Sequence, residues 1–187
     1  HRRSHRVRRS NYPDSKARTW DAVSGRWLAD LAGHKNAIWC TAFSPDGQVA
    51  ATASTDQTAR LWDGSTGKIL AVLRGHTDFV PDVRFSPNGA RVVTASRDAT
   101  LRLWEAKSGE NVQTGELICV LRGHSDGFYA APVFTHGGSR LVSGSKDGTV
   151  RVWDMNLAER NGVLRGHKSY VYDVARRTPL EGAALLS

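Results

Sequence analysis

Residues 75–105 read GHTDFVPDVRFSPNGARVVTASRDATLRLWE, and this stretch decides the fold. Phe79–Phe85 reads as a strand, and Ser86-Pro87-Asn88-Gly89 supplies the residues of a tight turn. Arg91–Ser96, rich in valine, is a second strand. Arg97–Ala99 turns the chain, and Thr100–Trp104 alternates an outward Arg102 with apolar neighbours, the period of two of a half-buried strand. Leu117–Leu121 makes a fourth. Every strand is short, every turn carries Gly, Pro, Asn or Asp, and no segment shows a 3.6-residue apolar stripe. The unit is all-β.

The same marks recur along the chain. Gly-His stands at Gly33-His34, Gly75-His76, Gly123-His124 and Gly166-His167, in steps of 42, 48 and 43. Trp followed by an acid stands at Trp20-Asp21, Trp62-Asp63, Trp104-Glu105 and Trp153-Asp154. An Asp precedes each of these tryptophans by six positions (Asp14, Asp56, Asp98, Asp147), and a hydroxyl precedes each Asp by four (Ser10, Thr52, Thr94, Ser143). Four residue types held in one register through four units are a structural repeat. The gap from Trp104 to Gly123 is six residues longer than its counterparts, with the extra length around Asn111–Glu116, and one further residue is inserted within Ser125–Val133.

With its GH and WD pairs, FSPDG at Phe43–Gly47 and FSPNG at Phe85–Gly89, the sequence resembles the WD-repeat family from about Ser10 to Ser187. The resemblance implies a β-propeller of four-stranded blades, with GH ahead of the innermost strand and WD ending the third. It divides the chain into units at about 10–33, 34–75, 76–123, 124–166 and 167–187. Three are complete. The first is the second half of a blade lacking its His, and the last is the first half of another. Since the family usually closes about seven blades, the chain is expected to be an arc of a larger ring, and in isolation to self-associate.

Each unit brings together His, a hydroxyl and Asp, the residue types of a hydrolytic triad. A set repeated with the fold's own period belongs to the fold. The resemblance implies a buried tetrad in each complete unit: His34, Thr52, Asp56 and Trp62; His76, Thr94, Asp98 and Trp104; His124, Ser143, Asp147 and Trp153. A buried Asp needs donors, and His, hydroxyl and indole each offer one. No catalytic residue, cofactor or metal follows. Cys40 and Cys119, 79 positions apart, make neither a disulfide framework nor a zinc site and point to a reducing cytoplasm. Gly64-Ser65-Thr66-Gly67-Lys68 lacks the first glycine of a phosphate loop and aligns with hairpin turns of the other units.

The 187 residues are 40% hydrophobic and 24% charged, with a net charge of +8. Residues 1–18 carry seven basic side chains against Asp14 alone, so +6 of that charge lies there. Residues 1–9 therefore read as a basic tail, which a degenerate strand would explain equally well; it is the one candidate element for non-specific nucleic-acid binding, which the near-neutral remainder disfavours. The periodic arginines, Arg18, Arg60, Arg102 and Arg151 two before each Trp and Arg74, Arg122 and Arg165 before three of the GH pairs, read as a solvated strand face. No apolar run reaches the roughly 18 residues that span a bilayer.

The family resemblance implies a protein-interaction scaffold whose partners, proteins or peptides, dock where the innermost strands begin. The implied exposed positions are three and five after the repeat His, and the residue before the tetrad Asp. They give Ala37, Trp39 and Thr55; Phe79, Pro81 and Arg97; and, with the insertion placed before them, Phe128, Ala130 and Lys146. Tyr170 and Tyr172 come from the last unit. Trp39, Phe79, Arg97, Phe128, Lys146, Tyr170 and Tyr172 are the candidate contacts, suited to a peptide with acidic and apolar side chains. A sensor or docking portion of a larger signalling kinase or NTPase is the alternative reading.

Overall fold

The computed structural model describes residues 5–9, 15–106, 115–155 and 161–165. In them the chain forms fifteen strands and a short 3-10 turn at His136–Gly138, arranged as four antiparallel sheets. Each complete sheet is a meander in chain order. The second blade is β4 (Ile38–Phe43), β5 (Val49–Ser54), β6 (Ala59–Asp63) and β7 (Ile69–Leu73). The third is β8 (Asp82–Phe85), β9 (Arg91–Ala95), β10 (Leu101–Glu105) and β11 (Leu117–Leu121), and the fourth β12 (Val133–Thr135), β13 (Arg140–Gly144), β14 (Thr149–Asp154) and β15 (Asn161–Arg165). The expected boundaries in the third blade hold to within about two residues, except that β8 starts three later, at Asp82.

The first blade has three strands: β1 (His5–Arg9), β2 (Lys16–Asp21) and β3 (Trp27–Ala32). Of the readings open for residues 1–9, a basic tail or a degenerate strand, residues 5–9 take the strand. Residues 5–9 pair antiparallel with β2, with Arg8 opposite Arg18. Charged side chains leave the backbone N–H and C=O groups free to pair, and β2 offers a ladder that needs a partner. The first unit is therefore more than half a blade. The half blade expected at 167–187, and residues 111–114 of the insertion expected around Asn111–Glu116, lie outside the described residues.

Turns are set by local chemistry. In Ser44-Pro45-Asp46-Gly47, Gly47 sits at φ +74 and the Ser44 hydroxyl donates to Asp46 at 2.6 Å. The same turn recurs at Ser86–Gly89. The acid of two of the Trp-Asp pairs builds the next turn: Asp63 Oδ1 accepts the backbone N–H and hydroxyl of both Ser65 and Thr66, and Asp21 does the same for Ser24.

The blades pack face to face. Every residue of β5, Val-Ala-Ala-Thr-Ala-Ser, is buried, and its small side chains let the third blade come close. Ala51, Ala53 and Leu61 of the second blade seal against Val80, Val83 and Trp104 of the third. Val93, Leu101 and Leu103 of the third meet Phe128, Phe134 and Trp153 of the fourth. Trp62 packs with Ala17 and Leu31 of the first. Each tetrad tryptophan thus plugs the gap to the preceding blade, and a buried Trp is worth about 3–5 kcal/mol against Ala.

The periodic arginines divide: Arg74 and Arg122, ahead of GH, are exposed as expected, whereas three of those ahead of Trp are not. Arg60 is only 9% exposed, and Arg102 and Arg151 are half-buried. Each guanidinium lies on the glycine of the adjacent GH pair, Arg102 donating to the Gly75 carbonyl at 2.7 Å. Gly75, at φ +127, has no room for a Cβ, which would collide with that guanidinium. Arg18 also matches the expectation, paired at the surface with Asp30 at 3.2 Å.

Candidate functional site

The three tetrads assemble with one geometry. His34 Nδ1 lies 2.8 Å from Asp56 Oδ2 and Nε2 2.7 Å from Thr52 Oγ1, while Trp62 Nε1 donates to Thr52 Oγ1 at 2.9 Å. The corresponding distances are 2.8, 2.8 and 2.9 Å in the third blade, and 2.9, 3.0 and 2.8 Å in the fourth. An indole N–H can only donate, so Thr52 accepts it and turns its own hydrogen to Nε2. Nδ1 then carries the ring proton and donates to Asp56. The histidine stays neutral and the carboxylate charged.

This relay differs from the expected one, in which all three partners donate to Asp. Only the histidine reaches it. The other donors are the backbone N–H of Lys35 at 2.9 Å and the N–H and hydroxyl of Thr58 at 3.0 and 2.5 Å. Thr100 and Thr149 play the same part. Ser54, Ser96 and Ser145 accept the Asp N–H and donate to a carbonyl of the preceding loop. The sequence holds the signal in a periodic Ser-x-Asp-x-Thr at 54–58, 96–100 and 145–149.

Burial pushes the carboxyls of Asp56, Asp98 and Asp147 up, but hydrogen bonds from the downstream threonine and the tetrad histidine outweigh it. All three are held well below the usual carboxylate range. Burial lowers the pKa of His34, His76 and His124 against the pull of their carboxylates. A hydrolytic triad needs a hydroxyl that substrate can reach. Thr52, Thr94 and Ser143 are fully buried, with donor and acceptor both engaged. The tetrads pin the loop before each inner strand to the turn between the second and third strands.

Those loops and turns carry the candidate contact residues. Trp39 is 51% exposed, and its ring lies 5.5 Å from that of Phe79 on the next blade. The Arg97 guanidinium lies 4.8 Å from the Phe79 ring centroid and 4.7 Å from that of Tyr129 on the blade after, and donates to the Tyr129 hydroxyl. Trp39, Phe79, Arg97 and Tyr129 form one continuous ladder across three blades. Lys146 lies 3.7 Å from Asp126.

Phe128, expected to be exposed, is 1% exposed and packs edge-on against His124. The register explains the correction. Thr55, Arg97 and Lys146 donate their backbone N–H to the carbonyls of Ala37, Phe79 and Gly127, which makes these three equivalent. Ile38, Val80 and Phe128 therefore point inward together, and Trp39, Pro81 and Tyr129 are the positions five after the histidine. The inserted residue falls after Tyr129, not before Phe128. Ala130 is buried as well. Gly127 allows the close approach, because a Cβ there would meet the Arg97 backbone at 2.7 Å. Tyr170 and Tyr172 lie outside the described residues.

The family model described as WD domain, G-beta repeat matches the chain three times, at residues 25–63, 67–105 and 115–154, together more than half its length. The chain belongs to the WD-repeat family. No curated protein matches it. Each matched WD repeat begins at the outermost strand of one blade and ends at the Trp and acid of the next, so the sequence repeat is offset by one strand from the blade. That offset ties neighbouring blades together covalently. WD repeats are generally protein-interaction scaffolds.

Two further features of this WD-repeat chain carry chemistry. On the inner strands, burial pushes the Cys40 thiol up to about 11 and the Asp82 carboxyl up to about 6, the latter against the nearby charge of Arg84. Asp82 is paired with Arg84 at 3.1 Å. Both cysteines are free. Among the described residues, no group of three or more His, Cys, Asp or Glu is placed to hold a metal ion.

Proposed function

We propose that this chain is a non-catalytic scaffold that binds a protein or peptide partner on the propeller face carrying Trp39, Phe79, Arg97, Tyr129 and Lys146. The observation that carries the reading is the ladder itself. Three rings and a guanidinium from three successive blades meet on one face, with Trp39 half out in solvent. Large rings hold much contact area with few rotatable bonds, and aromatics with Arg dominate the energetics of protein interfaces. The tetrads beneath hold the ladder's loops in place, so little order has to be gained on binding.

The nucleic-acid reading rested on the basic tail, of which residues 5–9 form β1. The cytoplasm remains our proposed compartment, from the free thiols.

Two tryptophans provide a matched test. Trp39 is 51% exposed on the face, and Trp27 is 56% exposed on the outermost strand of the first blade. Proteins captured by the wild-type chain are compared with those captured by Trp39→Ala and Trp27→Ala. A specific partner is lost from Trp39→Ala and kept by Trp27→Ala. Equal loss from both would mean that exposed apolar surface, not this face, does the capturing.

A further inference from the structure

The character of the partner can be read from an asymmetry between two equivalent cations, an inference that rests on the face reading above. Arg97 and Lys146 both stand immediately before a tetrad Asp. The Lys146 ammonium has Asp126 at 3.7 Å. No carboxylate among the described residues lies within ion-pair distance of Arg97, whose partners are the rings of Phe79 and Tyr129 and the Tyr129 hydroxyl. Arg97 is nevertheless exposed.

A guanidinium has five N–H donors in a rigid plane. Stacking on rings uses the face of that plane and leaves its edge. The Tyr129 hydroxyl takes a donor of Nη2, and the Nε and Nη1 side of the fork is left for another acceptor. The rings also fix the side chain in one orientation, so binding costs little further entropy, and the fork matches the two oxygens of a carboxylate or phosphate. A cation held by rings, exposed and without a counter-charge among the described residues is built to receive one.

We propose that Arg97 is the anion receptor of this face. It takes an acidic or phosphorylated side chain of the partner peptide, while Trp39, beyond Phe79 on the ladder, supplies the apolar shelf for a neighbouring residue. Arg97 is thereby the residue that determines charge specificity, and Trp39 contributes affinity without regard to charge.

The test uses the whole 187-residue chain, immobilised, and four pools of synthetic peptides. Each pool has one fixed central residue (glutamate, phosphoserine, glutamine or lysine) and randomised neighbours. The wild-type chain retains the glutamate or phosphoserine pool about fivefold over the glutamine pool, the upper range for one solvent-exposed charge pair. Whether glutamate or phosphoserine leads tells which source of the anion is preferred. Arg97→Gln levels the pools, Arg97→Lys keeps part of the preference, and Lys68→Gln, in an exposed hairpin turn, leaves it intact. A thermal melt of Arg97→Gln close to wild type excludes misfolding. Equal retention of glutamate and glutamine by the wild type, or a preference that survives Arg97→Gln, overturns the assignment of Arg97. If retention is blind to charge but abolished by Trp39→Ala, only Arg97 falls. If Trp39→Ala changes nothing, or no pool is retained, the face reading falls with it.

Discussion

Asp98 shows how one side chain can fix two pieces of backbone. It accepts from His76 at 2.8 Å and from the N–H and hydroxyl of Thr100 at 2.9 and 2.6 Å. Asp98→Ala leaves those donors without an acceptor and lowers stability by about 1–3 kcal/mol, which a denaturant or thermal melt measures. A melt identical to wild type would contradict the tetrad's structural role. Asp82 works in the opposite sense. Its carboxyl is raised to about 6, so the folded state holds a proton that the unfolded chain releases near pH 4. Its contribution to stability is complete below about pH 4 and is lost as pH rises through about 6. Asp82→Asn mimics the protonated form. It is therefore more stable than wild type at pH 7.5, and the two converge near pH 4. Comparing the chains at each pH cancels the titration of the tetrads. An advantage for Asp82→Asn that did not shrink toward pH 4 would contradict the assignment.

The turn between the second and third strands of each blade seats one residue in the left-handed region: Gln57 at φ +67, Ala99 at +64 and Gly148 at +77. An L-residue there costs roughly 1–2 kcal/mol, offset in part by the extra unfolded-state freedom of glycine. Ala99→Gly, which copies what Gly148 already does, raises stability by about 0.5–1 kcal/mol in urea melts. A lower midpoint would show that the Ala99 side chain makes contacts worth more than the strain. At this scale much could be read from the chain alone. The strands and tetrads were legible because each is repeated, so four copies vote on one register. Ser96 and Thr100 carried the same period and went unread, because the tetrad pattern already accounted for a buried Asp. Tyr129 could not be placed by spacing, since one inserted residue within 125–133 fits on either side of it. The pair Phe128-Tyr129 held the answer, because of two adjacent rings the one without a hydroxyl belongs in the buried position and the other at the surface. The arginines of β1 left tail and strand equally open, because they dominate a reading by charge but leave the backbone free to pair.

Across the whole molecule, blade packing is sealed between neighbours and open at one face of the last described blade. Val93, Leu101 and Leu103 of the third blade are at most 2% exposed, whereas the equivalent Val142, Val150 and Val152 of the fourth are only half-buried. The same succession of blades brings Trp39, from the start of β4, and Phe79, Arg97 and Tyr129, from loops and turns, into one ladder. The central claim is that this ladder is where a partner sits, and hydroxyl-radical footprinting tests it most directly because the probe oxidises exposed aromatic rings. The 187-residue chain is footprinted alone and with a captured partner, and oxidation is read residue by residue. Bound partner should protect Trp39 and Tyr129 and leave Trp27, on the outermost strand, as reactive as before. Protection of Trp27 with Trp39 and Tyr129 unchanged would contradict the account.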